Sequence, residues 1–387
     1  MLTRRSLLAS PAALFAADTS PRKVRIGIVG GRFGLTFQFH DHPDCIVEAV
    51  AELRPDRLAA LARTYRCAKT YNSLAALLRD PKVEAVCLFT DGPLHVEHAI
   101  LALRHGKHVL SAVPAAWGTL EQCYALQDAV RNSGLRYMMA ETSWYRQSTI
   151  SARKLFEQGK FGEIFYSESE YHHDGLESLY VENGQRTWRY GVAPMHYPTH
   201  CTAFLTGVTG ERFTEVSCQG WGDGDPILKD NPYNNPFWNE TALLRTSKGH
   251  SHRLSVWWKG AHKEAERAQW FGTRMSLATA GWNPATSVEH RNTLGQDDAG
   301  FAHRSHRVAP FPETQWWKTD LLPEPLRKPS GHDGSHTFLT HEFIDALSHG
   351  RAPAIDLKIS LALTAPGIVA HQSALRGGEK LPVPSFD

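Results

Sequence analysis

The feature that most constrains the fold is an alternation, between residues 22 and 140, of short apolar runs with segments of helical periodicity. This alternation is typical of parallel strands joined by crossover helices. The predicted strands are residues 24–29, 46–51, 69–71, 85–89, 108–111 and 137–140. The predicted helices are residues 56–65, 73–79, 94–104 and 120–132. The pattern predicts a doubly wound α/β sheet, which binds its ligands beyond the carboxyl ends of the strands.

A glycine-rich segment, Gly30-Gly31-Arg32-Phe33-Gly34, follows the first predicted strand and precedes a predicted helix. In a GxGxxG loop the glycines allow a tight turn and a close approach of pyrophosphate to a helix N-terminus. This segment is one residue shorter than that fingerprint. Glu52 ends the second predicted strand, where a carboxylate can bind the ribose hydroxyls of NAD. We therefore expect NAD, with NADP as an alternative because Arg54 is close by; Glu52 as an ordinary strand-end residue also stays open.

Composition narrows the possible partners. The 387 residues suffice for two domains with apolar cores. The 42 lysines and arginines nearly balance 40 acidic residues, which argues against a broad surface for nucleic acid. The six cysteines show no CxxC spacing and the histidines form no HExxH motif, so we expect no metal site.

The first 17 residues resemble an export signal. Arg4 and Arg5 precede a short apolar run that Pro11 interrupts and that is too short to span a bilayer. We expect a twin-arginine-type signal peptide, a periplasmic or otherwise exported product, and no membrane contact after cleavage. An uncleaved tail is the alternative. Because no free nicotinamide pool exists outside the cytoplasm, an exported enzyme would have to bind its cofactor tightly and regenerate it within each turnover.

Beyond the nucleotide-binding domain, residues 22–145, the pattern changes. Strand-like runs at residues 165–171, 214–220, 241–245 and 254–259 predict an α+β domain, residues 146–334, with an open, largely antiparallel sheet. We expect irregular structure at residues 296–329, and helices at 336–348 and 357–375 that pack back on the first domain. An exposed sheet face makes a homo-oligomer, a dimer or tetramer, the expected state.

Two tyrosine–histidine pairs of the second domain are the candidate catalytic residues. Tyr171 and His173 lie two residues apart at a strand end and share a face if the strand persists. Tyr197 and His200 lie three apart in a predicted first helical turn, which brings them to one surface. The positive helix end should disfavour the charged form of His200 and leave a usable base. Ordinary packing of these side chains is the alternative.

Two further histidines are weaker candidates, for substrate binding. His196 precedes the second pair directly, and His332 precedes a predicted helix in a glycine-rich turn.

Several segments resemble the Gfo/Idh/MocA superfamily of nicotinamide-dependent sugar enzymes. The resemblance rests on the glycine loop and on residues 90–99, 106–110 and 159–164. Residues 138–141 and 170–174, with Val113-Pro114-Ala115-Ala116, Gly162-Glu163-Ile164 and Tyr197-Pro198-Thr199-His200, resemble its glycosidase branch, typified by NAD-dependent α-N-acetylgalactosaminidase. The resemblance implies a Rossmann domain followed by an α+β domain. It also implies cofactor contacts for Thr90, His95, Val113, Pro114 and Glu141.

The resemblance implies an unusual chemistry because a lysine is missing. Superfamily dehydrogenases usually carry Glu-Lys-Pro after the fifth strand, whereas this chain has Ala112-Val113-Pro114, and valine cannot carry a proton. The glycosidases also lack this lysine. They are expected to oxidise the sugar C3 hydroxyl, remove the C2 proton, expel the C1 substituent, add water and reduce C3 again.

Departures from the branch leave alternatives. Ala112 stands where the glycosidases tend to carry glutamate, and Cys201 stands where they tend to carry glycine, so their sugar specificity is not transferred. The substrate is therefore expected only to be a small carbohydrate or glycoside. A periplasmic sugar oxidoreductase of the glucose-fructose oxidoreductase type is one alternative, and a catalytically inactive sugar-binding relative is another.

Overall fold

The computed structural model describes residues 22–173, 175–262, 265–281, 283–296, 300 and 302–387. The predicted signal peptide, residues 1–17, lies outside the described residues. The first domain has a parallel sheet of order β3-β2-β1-β4-β5-β6. Its strands are β1 (Val24–Val29), β2 (Cys45–Ala51), β3 (Thr70–Tyr71), β4 (Ala85–Leu88), β5 (His108–Ser111) and β6 (Tyr137–Met139). Its helices are α1 (Pro55–Thr64), α2 (Leu74–Leu78), α3 (His95–Arg104) and α4 (Leu120–Ser133).

The predicted doubly wound sheet is thus confirmed, and local signals account for it. β4 is buried along its whole length, as expected of a parallel strand with helices on both faces. At the start of α4, the Thr119 side chain accepts from the Gln122 amide, as a capping residue should. Gly134 ends the same helix in the left-handed region, with φ of 65°.

The helix predicted after the glycine loop is wrong. Between β1 and β2, where every residue is described, the chain forms only two 3₁₀ turns, Phe33–Thr36 and Phe39–Asp41. Phe37 and Phe39 are buried and stacked, with ring centroids 5.8 Å apart. The Tyr65 hydroxyl donates to the carbonyl of Phe37 at 3.2 Å. Burying these aromatic rings at two-residue spacing favours an irregular path over a helix, whose faces repeat every three to four residues.

The second domain has a nine-stranded sheet, of order β16-β15-β14-β13-β7-β12-β11-β10-β17, in the described chain. Only the β7–β12 pairing is parallel among the pairings described for this sheet. The prediction of an open, largely antiparallel sheet is therefore confirmed. The strands are β7 (Ile164–His172), β10 (Phe213–Trp221), β11 (Asn239–Thr246), β12 (Ser251–Trp257), β13 (Ala265–Gly272), β14 (Met275–Ala278), β15 (Thr286–Gln296), β16 (Ala302–Pro310) and β17 (Leu381–Pro382).

The sequence analysis missed several elements of this domain. β16 pairs with β15, so the prediction of irregular structure over residues 296–329 is wrong at its start. A short hairpin, β8 (Val181–Glu182) and β9 (Gln185–Arg186), turns through Asn183 and Gly184, both with positive φ. An Asn-Gly pair in such a turn is the usual sequence of a two-residue hairpin. The domain also contains helices α5 (Gln147–Glu157), α6 (Thr199–Thr209) and α7 (Pro226–Lys229).

The C-terminal segment joins the two domains. Helices α8 (Gly331–Ser348) and α9 (Leu357–Leu375) carry it. α9 contacts α4 and β6 of the first domain and also β10 of the second, while β17 pairs with β10. This segment therefore packs on both domains, whereas the sequence analysis expected it to return to the first. In the part of the chain that the structure describes, no helix is both long enough and apolar enough to cross a membrane.

Candidate active site and nucleotide-binding edge

The carboxyl edge of the first sheet has the shape of a nucleotide cradle. Gly30, directly after β1, has φ of +105°, and a Cβ at this position would lie 2.2 Å from the Phe89 carbonyl oxygen. Only glycine fits there, since both the backbone conformation and the contact exclude a side chain. Glu52 follows β2, and its carboxylate accepts from the amides of Gly31 at 2.6 Å, Leu53 at 2.7 Å and Arg54 at 3.1 Å.

The residues of this edge fit a dinucleotide, although the helix N-terminus is missing. The Gly30 backbone offers the close approach that a pyrophosphate requires. Glu141, which follows β6, is completely buried, and its Oε2 atom has no hydrogen-bond partner among the described residues. Such an atom suits a ribose hydroxyl as donor. With only the 3₁₀ turn Phe33–Thr36 after the loop, phosphate charge would be met by loop amides and the exposed Arg32.

The loops after β4 and β5 are tied together by a histidine. His95 is buried, with Nδ1 2.8 Å from the Pro114 carbonyl oxygen and Nε2 3.0 Å from the Thr90 carbonyl oxygen. The Thr90 hydroxyl is bound to His98 Nδ1 at 2.9 Å. The structure therefore brings Thr90, His95, Pro114 and the adjacent Val113 to one edge. His95 orients the two loops and has both nitrogens engaged by backbone.

Across the domain boundary lies a buried cluster of one histidine and two carboxylates. His200, in the first turn of α6, has Nδ1 3.0 Å from Glu141 Oε1 and 3.8 Å from Glu266 Oε1. Glu266, on β13, is paired with Arg146 at 2.6 Å and accepts a hydrogen bond from the Ser143 hydroxyl. The Ser143 amide donates to Glu141 Oε1 at 2.8 Å. The cluster therefore holds His200 by charge and by hydrogen bonds.

The protonation expected for His200 is corrected by this cluster. Burial alone would lower its pKa, but the Glu141 and Glu266 carboxylates outweigh burial and raise the pKa above the ordinary value of 6.5. The helix dipole, on which the expectation of a neutral His200 rested, amounts to about half a charge at a helix end. Two full charges within 4 Å in a buried site are the stronger influence. His200 therefore stays protonated to higher pH than an ordinary histidine, and Nε2 is the nitrogen left for a substrate.

The four predicted catalytic residues lie together. The Tyr171 ring centroid is 4.5 Å from that of His200, and the Tyr197 centroid is 6.3 Å from it. The ring centroids of Tyr171 and His173 are 6.0 Å apart, and the two rings meet edge to face. Burial raises the pKa of Tyr197, and Arg189 offsets part of that effect. The Tyr197 hydroxyl is thus held in its protonated form, which can donate a hydrogen bond to a sugar oxygen.

His332 borders the same cluster, on a left-handed turn at the start of α8. Its ring is hydrogen-bonded to His336, which in turn is hydrogen-bonded to the backbone of Thr36. His336 Nδ1 is 3.1 Å from the Thr36 carbonyl oxygen, and His332 Nδ1 is 2.8 Å from His336 Nε2. A carbonyl only accepts, so His336 donates from Nδ1 and accepts at Nε2 from His332. His332 Nε2 then carries no proton. Burial lowers the pKa of His332, and nearby His200 lowers it further, although Glu266 opposes them.

His196, the other predicted substrate residue, is placed differently. Its buried ring contacts Trp117, Tyr233 and His371 edge to face. Burial, with His371 adding to it, lowers its pKa to about 3. The structure does not bring His196 to the cluster; its ring is packed among aromatic side chains.

Sequence reasoning missed Glu266, Ser143 and Arg146. Glu266 lies on β13, a strand that was not predicted, and it meets α5 only through the tertiary fold. The one available signal was the polar Glu141-Thr142-Ser143 segment after β6, at the binding edge of the sheet. Among the residues that the structure describes, His, Cys, Asp and Glu side chains form no group of three that could hold a metal ion.

Comparison with known proteins agrees with this architecture. Residues 24–141 match the family model for Gfo/Idh/MocA proteins, described as an oxidoreductase family with an NAD-binding Rossmann fold. The nucleotide-binding domain of this chain is therefore of the Gfo/Idh/MocA type. The match confirms the predicted recognition and NAD as cofactor.

Two relatives that cover most of the chain carry the names of glycosidases. A glycosyl hydrolase family 109 protein of Streptomyces coelicolor is 23% identical, over 99% of this chain and 86% of the relative. An α-N-acetylgalactosaminidase of Tannerella forsythia is 21% identical, over 80% of this chain and 72% of the relative. A levoglucosan dehydrogenase in complex with NADH has the same fold, with a TM-score of 0.72, 19% identity, and coverage of 94% of this chain and 100% of that one.

Proposed function

We propose that this protein is an NAD-dependent glycoside hydrolase that cleaves its substrate through transient oxidation at C3. The observation that carries the proposal is that two histidines, His200 and His332, have pKa values shifted in opposite directions. They lie beside the carboxyl edge of the first sheet, which has Val113 where the dehydrogenases carry lysine. Glu141 and Glu266 raise the pKa of His200, whereas burial lowers the pKa of His332, whose neutral ring has Nε2 unprotonated. Neighbouring groups whose environments push their pKa values apart are suited to act as acid and base. The names of the family 109 relatives support a glycosidase.

The chain's own residues would divide the work as follows. When bound, NAD supplies the reversible oxidation of the sugar C3 hydroxyl to a ketone, which acidifies the hydrogen on C2. His332 Nε2 accepts the C2 proton, and the C2–H electron pair forms a C1–C2 double bond as the C1 substituent leaves. His200 Nε2–H donates a proton to the departing oxygen. Water then adds to C1 and gives a proton back to His200, His332 returns its proton to C2, and the C3 ketone is reduced to the hydroxyl again.

The tyrosines orient the sugar in this scheme. Tyr171 and Tyr197 are 6.4 Å apart between ring centroids, so both hydroxyls can approach one bound ring. A burial-raised pKa keeps Tyr197 protonated, and its role is to position a sugar oxygen rather than to remove a proton. His173, beside Tyr171, would contact the same substrate at its outer side.

The test is a panel of chromogenic glycosides, followed with purified protein at the absorbance of the reduced nicotinamide. We expect release of the chromophore with no net reduction of the nucleotide. His200→Ala should abolish cleavage while the nucleotide stays bound. Accumulation of reduced nucleotide without cleavage would overturn the proposal.

A sugar oxidoreductase is the second candidate, because the levoglucosan dehydrogenase fold spans nearly the whole chain. The Val113-Pro114 edge argues against it, since no lysine is available there to carry the hydroxyl proton. Sugar-dependent net reduction of NAD, or reduction of a second sugar, would favour this candidate over the glycosidase.

We also propose export through the twin-arginine route, from the sequence of residues 1–17. Cofactor loading in the cytoplasm followed by export of the folded protein agrees with an enzyme that ends each turnover with its nucleotide unchanged. Replacing Arg4 and Arg5 by lysine should leave the protein in the cytoplasm of an expressing cell. Unchanged fractionation would contradict export by this route.

Self-association is proposed from the second sheet. Leu243 and Val308, which the strand register places on one face of this sheet, are 55% and 67% exposed. An exposed apolar face of a sheet is a common interface between copies of a chain. Light scattering should give the mass of a dimer or tetramer, and a monomer at micromolar concentration would contradict the proposal.

A further inference from the structure

The β8–β9 hairpin of the second domain reaches the nucleotide-binding edge of the first. Glu182, at the end of β8, accepts at Oε1 from Arg54 at 2.8 Å and from Arg57 at 2.6 Å. Both arginines lie at the start of α1, directly after Glu52. The hairpin itself is fixed by its Asn183-Gly184 turn and by an ion pair of 2.7 Å between Arg186 and Asp230.

The arginine pair lies at the glycine loop. A Cβ at Gly31 would be 2.9 Å from Arg57 Cβ and 3.1 Å from Glu52 Oε2. Gly31 therefore lies against both Arg57 and Glu52. Glu52 occupies the position at which a carboxylate faces the adenosine ribose. Hydrogen bonding to Arg57, with the charges of Arg57 and Arg32, holds the pKa of Glu182 below its ordinary value.

The chemistry of this arrangement bears on the choice between two cofactors. NADP differs from NAD by a phosphate on the adenosine 2′ oxygen. Guanidinium groups match phosphate geometry and bind it through paired, charge-assisted hydrogen bonds. Arg57 and Arg54, with Arg32 close by, would suit such a phosphate, but Glu182 Oε1 occupies one donor of each. Asp56 accepts from two further donors of Arg54, which leaves Arg57 as the main guanidinium that Glu182 withholds.

We propose that Glu182 is a specificity-determining residue, which occupies the Arg54–Arg57 pair from the second domain and thereby selects NAD over NADP. The inference rests on the dinucleotide site of the proposed function. A 2′-hydroxyl can donate to a carboxylate, whereas a 2′-phosphate would have to displace Glu182 and face Glu52. Selectivity is thus supplied by a residue far from the glycine loop in sequence.

The test is a competition measured by mass spectrometry. Wild type and Glu182→Gln are incubated with equal NAD and NADP until exchange is complete, and the nucleotide retained after gel filtration is quantified. The bound NADP-to-NAD ratio should rise roughly tenfold to hundredfold in Glu182→Gln, the range expected when guanidinium–phosphate hydrogen bonds become available. Adding Arg57→Ala to Glu182→Gln should remove most of that gain.

Asp230→Asn is the matched control, because it loosens the same hairpin without touching the arginine pair. The bound NADP-to-NAD ratio of Asp230→Asn should equal that of wild type. An unchanged ratio in Glu182→Gln, with NAD still retained, would overturn this inference alone. A gain of equal size in Asp230→Asn would also overturn it, since hairpin mobility and not the carboxylate would then set selectivity. Failure of wild type to retain either nucleotide would overturn the proposed function as well.

Discussion

Glu141→Gln is the substitution that tests the acid–histidine cluster most sharply. The Glu141 side chain is 0% exposed and accepts from His200 Nδ1 at 3.0 Å, so solvent does not screen the pair. Glutamine has the same shape and keeps an acceptor for the Ser143 amide. It removes the negative charge opposite a buried imidazolium, and hydrogen bonds to charged groups are worth about 1.5–3 kcal/mol. We therefore expect a loss of about 2–3 kcal/mol in the free energy of unfolding near neutral pH.

The size of this loss should depend on pH in a defined direction. The pKa of His200 is raised in the folded state above its ordinary value of 6.5. The stabilisation from the charged pair is thus fully present below the unfolded-state pKa, and it is lost as the pH rises through the folded-state pKa. The cost of Glu141→Gln should accordingly be largest on the acid side and become smaller in alkaline buffer.

Urea unfolding of wild type and variant, in mildly acidic and in alkaline buffer, measures both quantities. Glu163→Gln is the matched control: Glu163 Oε1 lies 3.1 Å from His250 Nε2, but its side chain is 67% exposed. That exposed pair should contribute less than about 1 kcal/mol. Equal costs for Glu141→Gln at both pH values, or a cost no larger than that of Glu163→Gln, would refute the reasoning.

Further outcomes follow from the same geometry. Gly30→Ala should abolish nucleotide retention, because its Cβ would lie 2.2 Å from the Phe89 carbonyl oxygen. The control Gly106→Ala should retain the nucleotide, because no atom lies within 4 Å of a Cβ at that position. The nucleotide-to-protein ratio of the purified variants distinguishes the two outcomes. His332→Gln should lower kcat on a cleaved glycoside roughly 10²–10⁴-fold, the usual contribution of a general base, without loss of nucleotide. His336→Gln should lower kcat less, since it only orients His332, and equal kcat in wild type and His332→Gln would remove His332 from the mechanism.

The elements that could be predicted are those specified by local pattern. β1, β5 and α9 have the bounds expected from apolar periodicity alone. The helix after the glycine loop was predicted from a motif that usually precedes one. It is absent because Phe37 and Phe39 are buried at a spacing that a helix cannot satisfy. Burial of these rings by distant segments outweighed the local motif.

The residues of the site also fall into those that local spacing predicts and those that depend on the tertiary fold. Tyr171 and His200 were found from their spacing along one strand end and in one helical turn. The expectation that Tyr197 shares that turn is wrong, because α6 begins only at Thr199. The chain before α6 nevertheless brings the Tyr197 ring centroid to 6.3 Å from that of His200.

The protonation of His200 could not be predicted, because it depends on Glu266, a residue of β13 that reaches His200 only through the tertiary fold. The contact of Glu182 with Arg54 and Arg57 could not be predicted either, because it crosses the domain boundary. The Asn183-Gly184 pair is a sequence signal only for the hairpin that carries Glu182.

The central claim is that glycoside cleavage proceeds through removal of the proton on sugar C2. Cleavage of an active glycoside in heavy water, followed by mass spectrometry and proton NMR of the released sugar, tests it directly. The account predicts one non-exchangeable deuterium at C2 for each molecule cleaved, because the proton returned to C2 comes from a solvent-exchanged base. Cleavage at full rate with C2 still carrying only its original hydrogen would contradict the account.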